Sequence, residues 1–100
     1  MKVAVVMGSK SDYPKLEEGI KLLEKYGIEV VARALSAHRT PEQLSIFLKE
    51  IEDDTDVIIA AAGKAAHLPG VIASQTLIPV IGLPIKSSTM DGLDSLLSIV

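Results

Sequence analysis

The sequence has no cysteine and no tryptophan, and only 3% of its 100 residues are aromatic. Without cysteine, the chain can form neither a disulfide framework nor a thiolate site. With so few aromatic side chains, the core must be built from Val, Ile, Leu and Ala, a mixture typical of a parallel sheet that helices cover on both faces. Long apolar runs are also missing, because none approaches the roughly 20 residues that a membrane span requires.

The chain carries fewer positive than negative side chains. Ten Lys and Arg residues stand against 13 Asp and Glu residues, which gives a net charge of −3. This balance argues against a nucleic-acid partner or a membrane surface. The apolar start, residues 1–6, is too short for a signal peptide and is broken by Gly8. We therefore expect a cytoplasmic protein.

Four apolar, β-branched runs alternate with four segments of helical periodicity. This order predicts one α/β domain over residues 1–100, with an open parallel sheet of flavodoxin-like strand order 2-1-3-4 between two helical layers. The predicted strands are 2–7, 28–35, 57–61 and 79–83, and the predicted helices are 14–26, 41–51, 67–76 and 91–100.

Capping residues mark two of the predicted helix starts. Ser11 or Asp12 is placed to cap the first helix, and Thr40 with Gln43 predicts a capping box on the second. The last helix carries an apolar stripe that predicts either core or subunit contact. The stripe consists of Leu93, Leu96, Leu97 and Val100.

The most informative feature is the pair His38-Arg39, directly after the second strand and before a helix start. Ligands of doubly wound folds bind where strand carboxyl ends and helix amino ends converge. A histidine can accept and return a proton near neutral pH, and an arginine fork matches phosphate oxygens. The alternative is a surface histidine beside an arginine that pairs with Glu42.

The loop after the first strand, residues 8–12 with the sequence GSKSD, can also contact a ligand. Its glycine permits close approach, and its hydroxyls and helix-start amides can hold phosphate or sugar oxygens. It has the glycine spacing of neither a dinucleotide fingerprint nor a P-loop. Asp12 would repel a phosphate, so ribose hydroxyls suit it better. An ordinary capped turn is equally consistent with the pattern.

The loop after the third strand combines small residues with the second histidine, His67. Small residues such as Ala66 let a planar ligand approach closely. His67 either assists the chemistry or serves structurally, by capping the next helix or bonding a neighbouring loop. Lys64 is expected to be solvated. No metal site is expected, because two distant histidines without a carboxylate at ligand spacing are weak evidence for one.

Four segments together resemble the PurE family, the class I N5-carboxyaminoimidazole ribonucleotide mutases of purine biosynthesis. The resemblance follows the whole chain in order, through residues 7–12 (MGSKSD), 36–41 (SAHRTP), 65–70 (AAHLPG) and 92–100 (GLDSLLSIV). It implies a flavodoxin-like three-layer fold, a homo-octamer, a small ribonucleotide substrate, and a carboxyl transfer that needs no ATP, metal or other cofactor.

The resemblance also implies roles for individual residues. The family's catalytic histidine matches His38, which would serve as general acid and base in decarboxylation and recarboxylation. Its substrate-binding Ser, Asp and Arg match Ser9, Asp12 and Arg39. The remaining residues predicted to bind substrate are Gly8, Ser11, Ser36, Gly63, Ala66 and His67.

The chain departs from the family in two places. Ala61 and Lys64 stand where the family usually has glycine, which predicts a different backbone course for the third loop. Family members also continue past the equivalent of Val100 with a fifth strand and C-terminal helices. We therefore expect the domain to be incomplete at its C-terminus, strand 4 to lie at an edge, residues 98–100 to be exposed or covered by another subunit, and the isolated chain to be inactive or prone to aggregate.

Two alternatives to the mutase remain open. One is direct carboxylation of aminoimidazole ribonucleotide by dissolved carbon dioxide, since the chemistry of the two activities overlaps. The other is a non-catalytic nucleotide-binding or assembly fragment. Retention of His38 and Arg39 argues against the second, whereas the missing C-terminal segment argues for it.

Overall fold

A computed structural model describes residues 1–64, 66–86 and 90–100, and over these residues four strands alternate with four α-helices. The strands are β1 (Lys2–Met7), β2 (Glu29–Ala34), β3 (Val57–Gly63) and β4 (Val80–Ile85). The helices are α1 (Tyr13–Lys25), α2 (Pro41–Ile51), α3 (Leu68–Ala73) and α4 (Leu93–Ile99). Short 3-10 turns precede α1 at Lys10–Asp12 and α4 at Met90–Gly92.

The strands form one parallel sheet in the order β2-β1-β3-β4, which confirms the predicted topology. Met7 of β1 is aligned with Ala34 of β2 and with Ala61 of β3, and Gly63 of β3 is aligned with Ile85 of β4. The last residues of the strands therefore meet along one side of the sheet, here named the carboxyl edge. The opposite side is named the amino edge.

Element boundaries differ from the predicted ones by a few residues. β3 and β4 each run two residues further, because Ala62 and Gly63 pair in register with residues 84 and 85. α3 is shorter than predicted at both ends. Its last turn closes when the Gln75 amide donates to the Ile72 carbonyl, a spacing of three residues in place of the four of an α-helix.

The apolar residues separate into two clusters, one on each face of the sheet. On one face, Leu44 and Phe47 of α2 and Ile72 of α3 pack against buried residues of β1 and β3. On the other face, Leu16 and Ile20 of α1 pack against the remaining buried residues of the same two strands. Helices thus cover both faces of the central strands, as the composition predicted.

The apolar stripe of α4 faces away from the sheet. Its four members are between 44% and 88% exposed, so the prediction of core contact is wrong for a single chain, and subunit contact stays a prediction. The side of α4 toward the sheet carries the buried Ser95 and the half-buried Ile99. The helix packs so closely on β4 that residue 82 has no room for a side chain. A β-carbon built on Gly82 would lie 2.8 Å from Ile99 Cγ2.

Over the described residues, β4 lies at one edge of the sheet, as expected.

At the amino edge, charges are paired across three chain segments. The Lys2 ammonium lies 2.8 Å from an Asp54 carboxylate oxygen and 3.7 Å from Glu29. The hydrogen bond between Lys2 and Asp54 lowers the pKa of the aspartate and raises that of the lysine. The backbone amide of Lys2 also donates to the Asp56 carboxylate at 2.9 Å. These contacts tie β1 to β2 and to the turn before β3.

None of the helices in the described residues combines the length and the hydropathy of a membrane span.

The hydrogen bond from Ser95 Oγ to the Ile85 carbonyl, 2.9 Å long and buried, fixes α4 to the end of β4. Ser95→Ala removes the donor and leaves a buried carbonyl short of a partner, so we expect a loss of about 1–2 kcal/mol in the free energy of unfolding. Ser98→Ala is the matched control, because Ser98 lies on the same helix but donates only to the exposed Asp94 carbonyl. Urea denaturation of both variants tests this, and equal midpoints would contradict it.

Candidate active site

The carboxyl edge brings the first three strand-to-helix loops together around the end of β1. The pairing continues one residue past the strand on both sides. The Gly8 amide donates to the Ala61 carbonyl at 3.1 Å, and the Leu35 amide donates to the Met7 carbonyl at 2.9 Å. The loops that follow β1, β2 and β3 therefore start side by side, which is the convergence predicted from the alternating order of the elements.

The loop after β2 is organised by two side-chain hydroxyls. Ser36 Oγ accepts hydrogen bonds from the amides of His38 at 3.2 Å and Arg39 at 3.1 Å. Thr40 Oγ1 accepts from the Ser36 amide at 2.8 Å and donates to the Ser36 carbonyl at 3.2 Å. Together these bonds fix the backbone that carries His38 and Arg39.

The predicted capping box on α2 is wrong. Thr40 is the N-cap residue, but its side chain makes no bond to the helix, because its hydroxyl is used by Ser36. For α1 the predicted capping residue is in place, but it makes no capping bond. Asp12 holds the N-cap position without a side-chain bond, and Ser9 caps the short 3-10 turn instead. The Thr40 hydroxyl, which was expected to serve a helix start, organises a loop of the site instead.

Arg39 spans from the second loop to the first. Its guanidinium Nη2 donates to the Gly8 carbonyl at 3.2 Å. Among the described residues, the ion pairs found do not include one between Arg39 and Glu42, so the structural alternative for this arginine is not observed. The contact with Gly8 places the positive charge of Arg39 beside the first residue of the loop after β1.

The first loop places two hydroxyls side by side. Ser9 Oγ and Ser11 Oγ are 2.9 Å apart, and the Ser11 amide donates to Ser9 Oγ at 3.3 Å. The Asp12 amide donates to the Ser9 carbonyl at 3.0 Å. Because the Asp12 carboxylate has no capping role, it remains available to accept hydrogen bonds from a ligand's hydroxyl groups.

The two histidines of the chain contact each other. His38 Nε2 lies 3.0 Å from His67 Nδ1, and the rings meet edge to face at 90° with centroids 5.1 Å apart. One nitrogen must donate and the other accept, so one of the two atoms carries a hydrogen and the other does not. Of the structural roles weighed for His67, the bond to a neighbouring loop is observed, whereas side-chain capping of α3 is not.

In and next to the third loop, Ala61 and Ala66 are buried and Lys64 is exposed. Ala61 is fully buried in β3, and Ala66 is only 1% exposed and belongs to the core cluster on the α2 face. The side chain of Ala66 therefore packs into the core. Lys64 is exposed and has a φ of +54°, the left-handed region that glycine adopts most readily.

A cleft of about 590 Å³ lies between the loops. Most of the residues predicted to form the site line it, whereas Ala66 and His67 are not among its lining residues. The predicted residues in its wall are Gly8, Ser9, Ser11, Asp12, Ser36, His38, Arg39 and Gly63.

The cleft also has lining residues that the sequence did not single out. Lys15 lies in α1 three residues after Asp12, and its ammonium donates to the Lys86 carbonyl at 3.0 Å. Lys86 follows β4, and Leu68 begins α3. Position at a strand end would have identified Lys86, and the helical spacing from Asp12 would have identified Lys15. With Arg39 and Lys64, these lysines give the cleft a positive wall in a chain of negative net charge.

The arrangement suits an anionic ligand with hydroxyl groups and a site of proton transfer. Arg39 and the paired serine hydroxyls can bind a phosphate, and Asp12 can bind hydroxyls. His38 can move a proton to or from a ligand atom in the cleft.

Comparison with known proteins places the chain in a family. Residues 2–100 match the family described as AIR carboxylase. The chain is 56% identical over 100 residues to the N5-carboxyaminoimidazole ribonucleotide mutase of Saccharolobus solfataricus and 54% identical over 100 residues to that of Pyrococcus abyssi. These alignments cover 99% of the chain, but 63% and 58% of the two relatives, so the chain spans about 60% of their length.

The fold agrees with this assignment. The crystal structure of Treponema denticola PurE superposes with a TM-score of 0.88 at 34% identity, over 96% of this chain and 63% of that one. The resemblance drawn from the four sequence segments is thereby confirmed, and the chain belongs to the AIR carboxylase family.

Proposed function

We propose that the protein is an N5-carboxyaminoimidazole ribonucleotide mutase of purine biosynthesis. The observation that carries the proposal is the placement of His38 beside Arg39 in the wall of one cleft at the carboxyl edge. The names of the two relatives that are 56% and 54% identical support it.

In this proposal the nucleotide lies along the carboxyl edge. Its phosphate binds Arg39 with Ser9 and Ser11, because the guanidinium fork and two adjacent hydroxyls offer several donors to its oxygens. Its ribose hydroxyls donate to Asp12. The imidazole lies toward β3, where its edge meets His38. The backbone of Gly8, Ser36 and Gly63 lets the ligand approach closely. Ala66, through its packing in the core, and His67, through its bond to His38, hold the third loop beside the imidazole.

The reaction moves a carboxyl group from the exocyclic nitrogen to a carbon of the imidazole ring. His38 donates its proton to the nitrogen as the bond between nitrogen and carboxyl carbon breaks, and the electron pair of that bond stays on the nitrogen. Carbon dioxide and aminoimidazole ribonucleotide result. The ring carbon then attacks the carbon dioxide, and His38 removes the proton from that carbon, which restores its starting state.

Two features of the cleft assist this sequence. The His67 contact orients the His38 ring, since it fixes one of the two ring nitrogens in a hydrogen bond. Confinement by the apolar walls, which include Ala37, Ala62 and Leu68, keeps carbon dioxide beside the ring carbon for the second step.

We further propose that the protein acts as a cytoplasmic homo-octamer. The exposed apolar stripe on α4 supports subunit contact, because large apolar side chains on one helix face rarely stay in water without a partner.

The second candidate function is direct carboxylation of aminoimidazole ribonucleotide, which the description of the matched family favours. An isotope experiment on the full-length protein separates the two activities. The substrate is N5-carboxyaminoimidazole ribonucleotide with a ¹³C carboxyl group, in unlabelled bicarbonate. A mutase transfers the label to the ring carbon, because carbon dioxide stays in the cleft. Product that forms only from aminoimidazole ribonucleotide and dissolved carbon dioxide, without label, would favour the carboxylase.

His38→Asn in the same form of the protein tests the proton transfers. Asparagine keeps a hydrogen-bonding side chain of similar size but cannot take up a proton, so we expect unchanged affinity for aminoimidazole ribonucleotide and a turnover about 10²–10⁴-fold lower. Binding is measured by calorimetry and turnover by product formation. His67→Asn is the comparison and should retain more activity. Comparable turnover in His38→Asn and the parent protein would move the role to another residue, with His67 next.

A further inference from the structure

Lys64 adopts a backbone conformation that lysine rarely takes. Its φ of +54° lies in the left-handed region, and it is one of two non-glycine residues with positive φ over the described residues. Such conformations are unfavourable for residues with a β-carbon and persist where the surrounding structure fixes them, often at ligand sites. Glycine would fit this position without strain, so the presence of a lysine calls for a role of its side chain.

The position of Lys64 sets its charge apart from that of Arg39. Lys64 follows β3 directly and lines the cleft, whereas Arg39 follows β2, and β1 lies between those two strands. The Arg39 side chain reaches back to Gly8 in the loop after β1, whereas the ring of its neighbour His38 contacts His67 in the loop that carries Lys64. Lys64 is also three residues before His67, whose ring contacts His38. The cleft therefore has one cation at its Arg39 end and another at the end where His38 meets His67.

The ammonium of Lys64 has no protein partner among the described residues, since none of their hydrogen bonds or ion pairs involves it. The other cations of the cleft are engaged. Lys86 lies 3.0 Å from an Asp91 oxygen, Lys15 donates to the Lys86 carbonyl, and Arg39 donates to the Gly8 carbonyl. An exposed, unpaired ammonium in the wall of a cleft is free to bind an anion.

We propose that Lys64 binds the carboxylate of the substrate and makes the site selective for carboxylated aminoimidazole ribonucleotides over the decarboxylated one. This assignment rests on the proposed function. The carboxylate lies on the imidazole, beside the atoms that exchange protons with His38, so its binding group must lie at the His38 end of the cleft. A lysine ammonium is a compact charge that suits a single carboxylate, while the guanidinium fork of Arg39 suits the phosphate.

Binding of the carboxylate by Lys64 also changes the relative free energies of the states along the reaction. Both carboxylated isomers carry the negative charge, whereas carbon dioxide and aminoimidazole ribonucleotide together lack it at that position. The ammonium therefore favours both isomers over the decarboxylated stage between them.

The test compares two ligands, carboxyaminoimidazole ribonucleotide and aminoimidazole ribonucleotide, by calorimetry on the full-length protein. Lys64→Gln should weaken binding of the carboxylated ligand about 10-fold or more and leave the affinity for the other unchanged. Lys64→Arg should retain the preference. Lys64→Gly should behave as Lys64→Gln while its thermal midpoint does not fall, because glycine suits the positive φ, and this excludes misfolding as the cause.

Two controls complete the experiment. Lys49→Gln removes the same charge from the exposed end of α2 and should change neither affinity. Arg39→Ala should weaken both ligands by the same factor, because both carry the phosphate. If Lys64→Gln weakens both ligands equally or neither, Lys64 does not recognise the carboxylate, while the proposed function stands. If the parent protein binds neither ligand, the proposed function is wrong and this assignment is wrong with it.

Discussion

In the sheet, β1 is paired in parallel with β2 on one side and with β3 on the other, and every contact of the candidate site depends on that arrangement. Parallel pairing makes the three strands end at the same edge, so residues distant in sequence meet there. The hydrogen bonds of Gly8 and Leu35 extend the pairing into the loops. Ser36 then fixes the amides of His38 and Arg39. A slip of one residue in either pairing would move these side chains away from the cleft.

The two edges of the sheet use charge differently. At the amino edge, Lys2 is surrounded by carboxylates and its charge serves to connect strands. At the carboxyl edge, Arg39 and Lys64 face a cleft without carboxylate partners among the described residues. Both side chains are exposed to solvent and engage no carboxylate of the described residues, so their charges are available to an anionic ligand at the carboxyl edge.

The sequence predicted the sheet order and most of the cleft because both depend on local patterns. Apolar β-branched runs identify strands, and a residue such as His38 directly after a strand must lie at the carboxyl edge. Long-range choices were not predictable in this way. Periodicity revealed the leucine stripe of α4 but not that Ser95 would face the sheet. A small residue such as Ala66 suits a pocket and a core equally well, and only packing decides between them. The hydroxyl of Thr40 could bond forward to the start of α2, as in the predicted capping box with Gln43, or back to Ser36, and the spacing along the chain does not decide between them.

The proposed function requires that the loops after β1, β2 and β3 form one ribonucleotide site at the carboxyl edge. The most direct measurement is a titration of ¹⁵N-labelled protein with aminoimidazole ribonucleotide, followed by amide chemical shifts. We expect the shift changes to concentrate at residues 8–12, 36–40 and 63–64 and to saturate together, while the amides near Lys2 and Asp54 at the amino edge keep their shifts. Shifts confined to the amino edge or to α4, or separate saturation of the three loops, would contradict it.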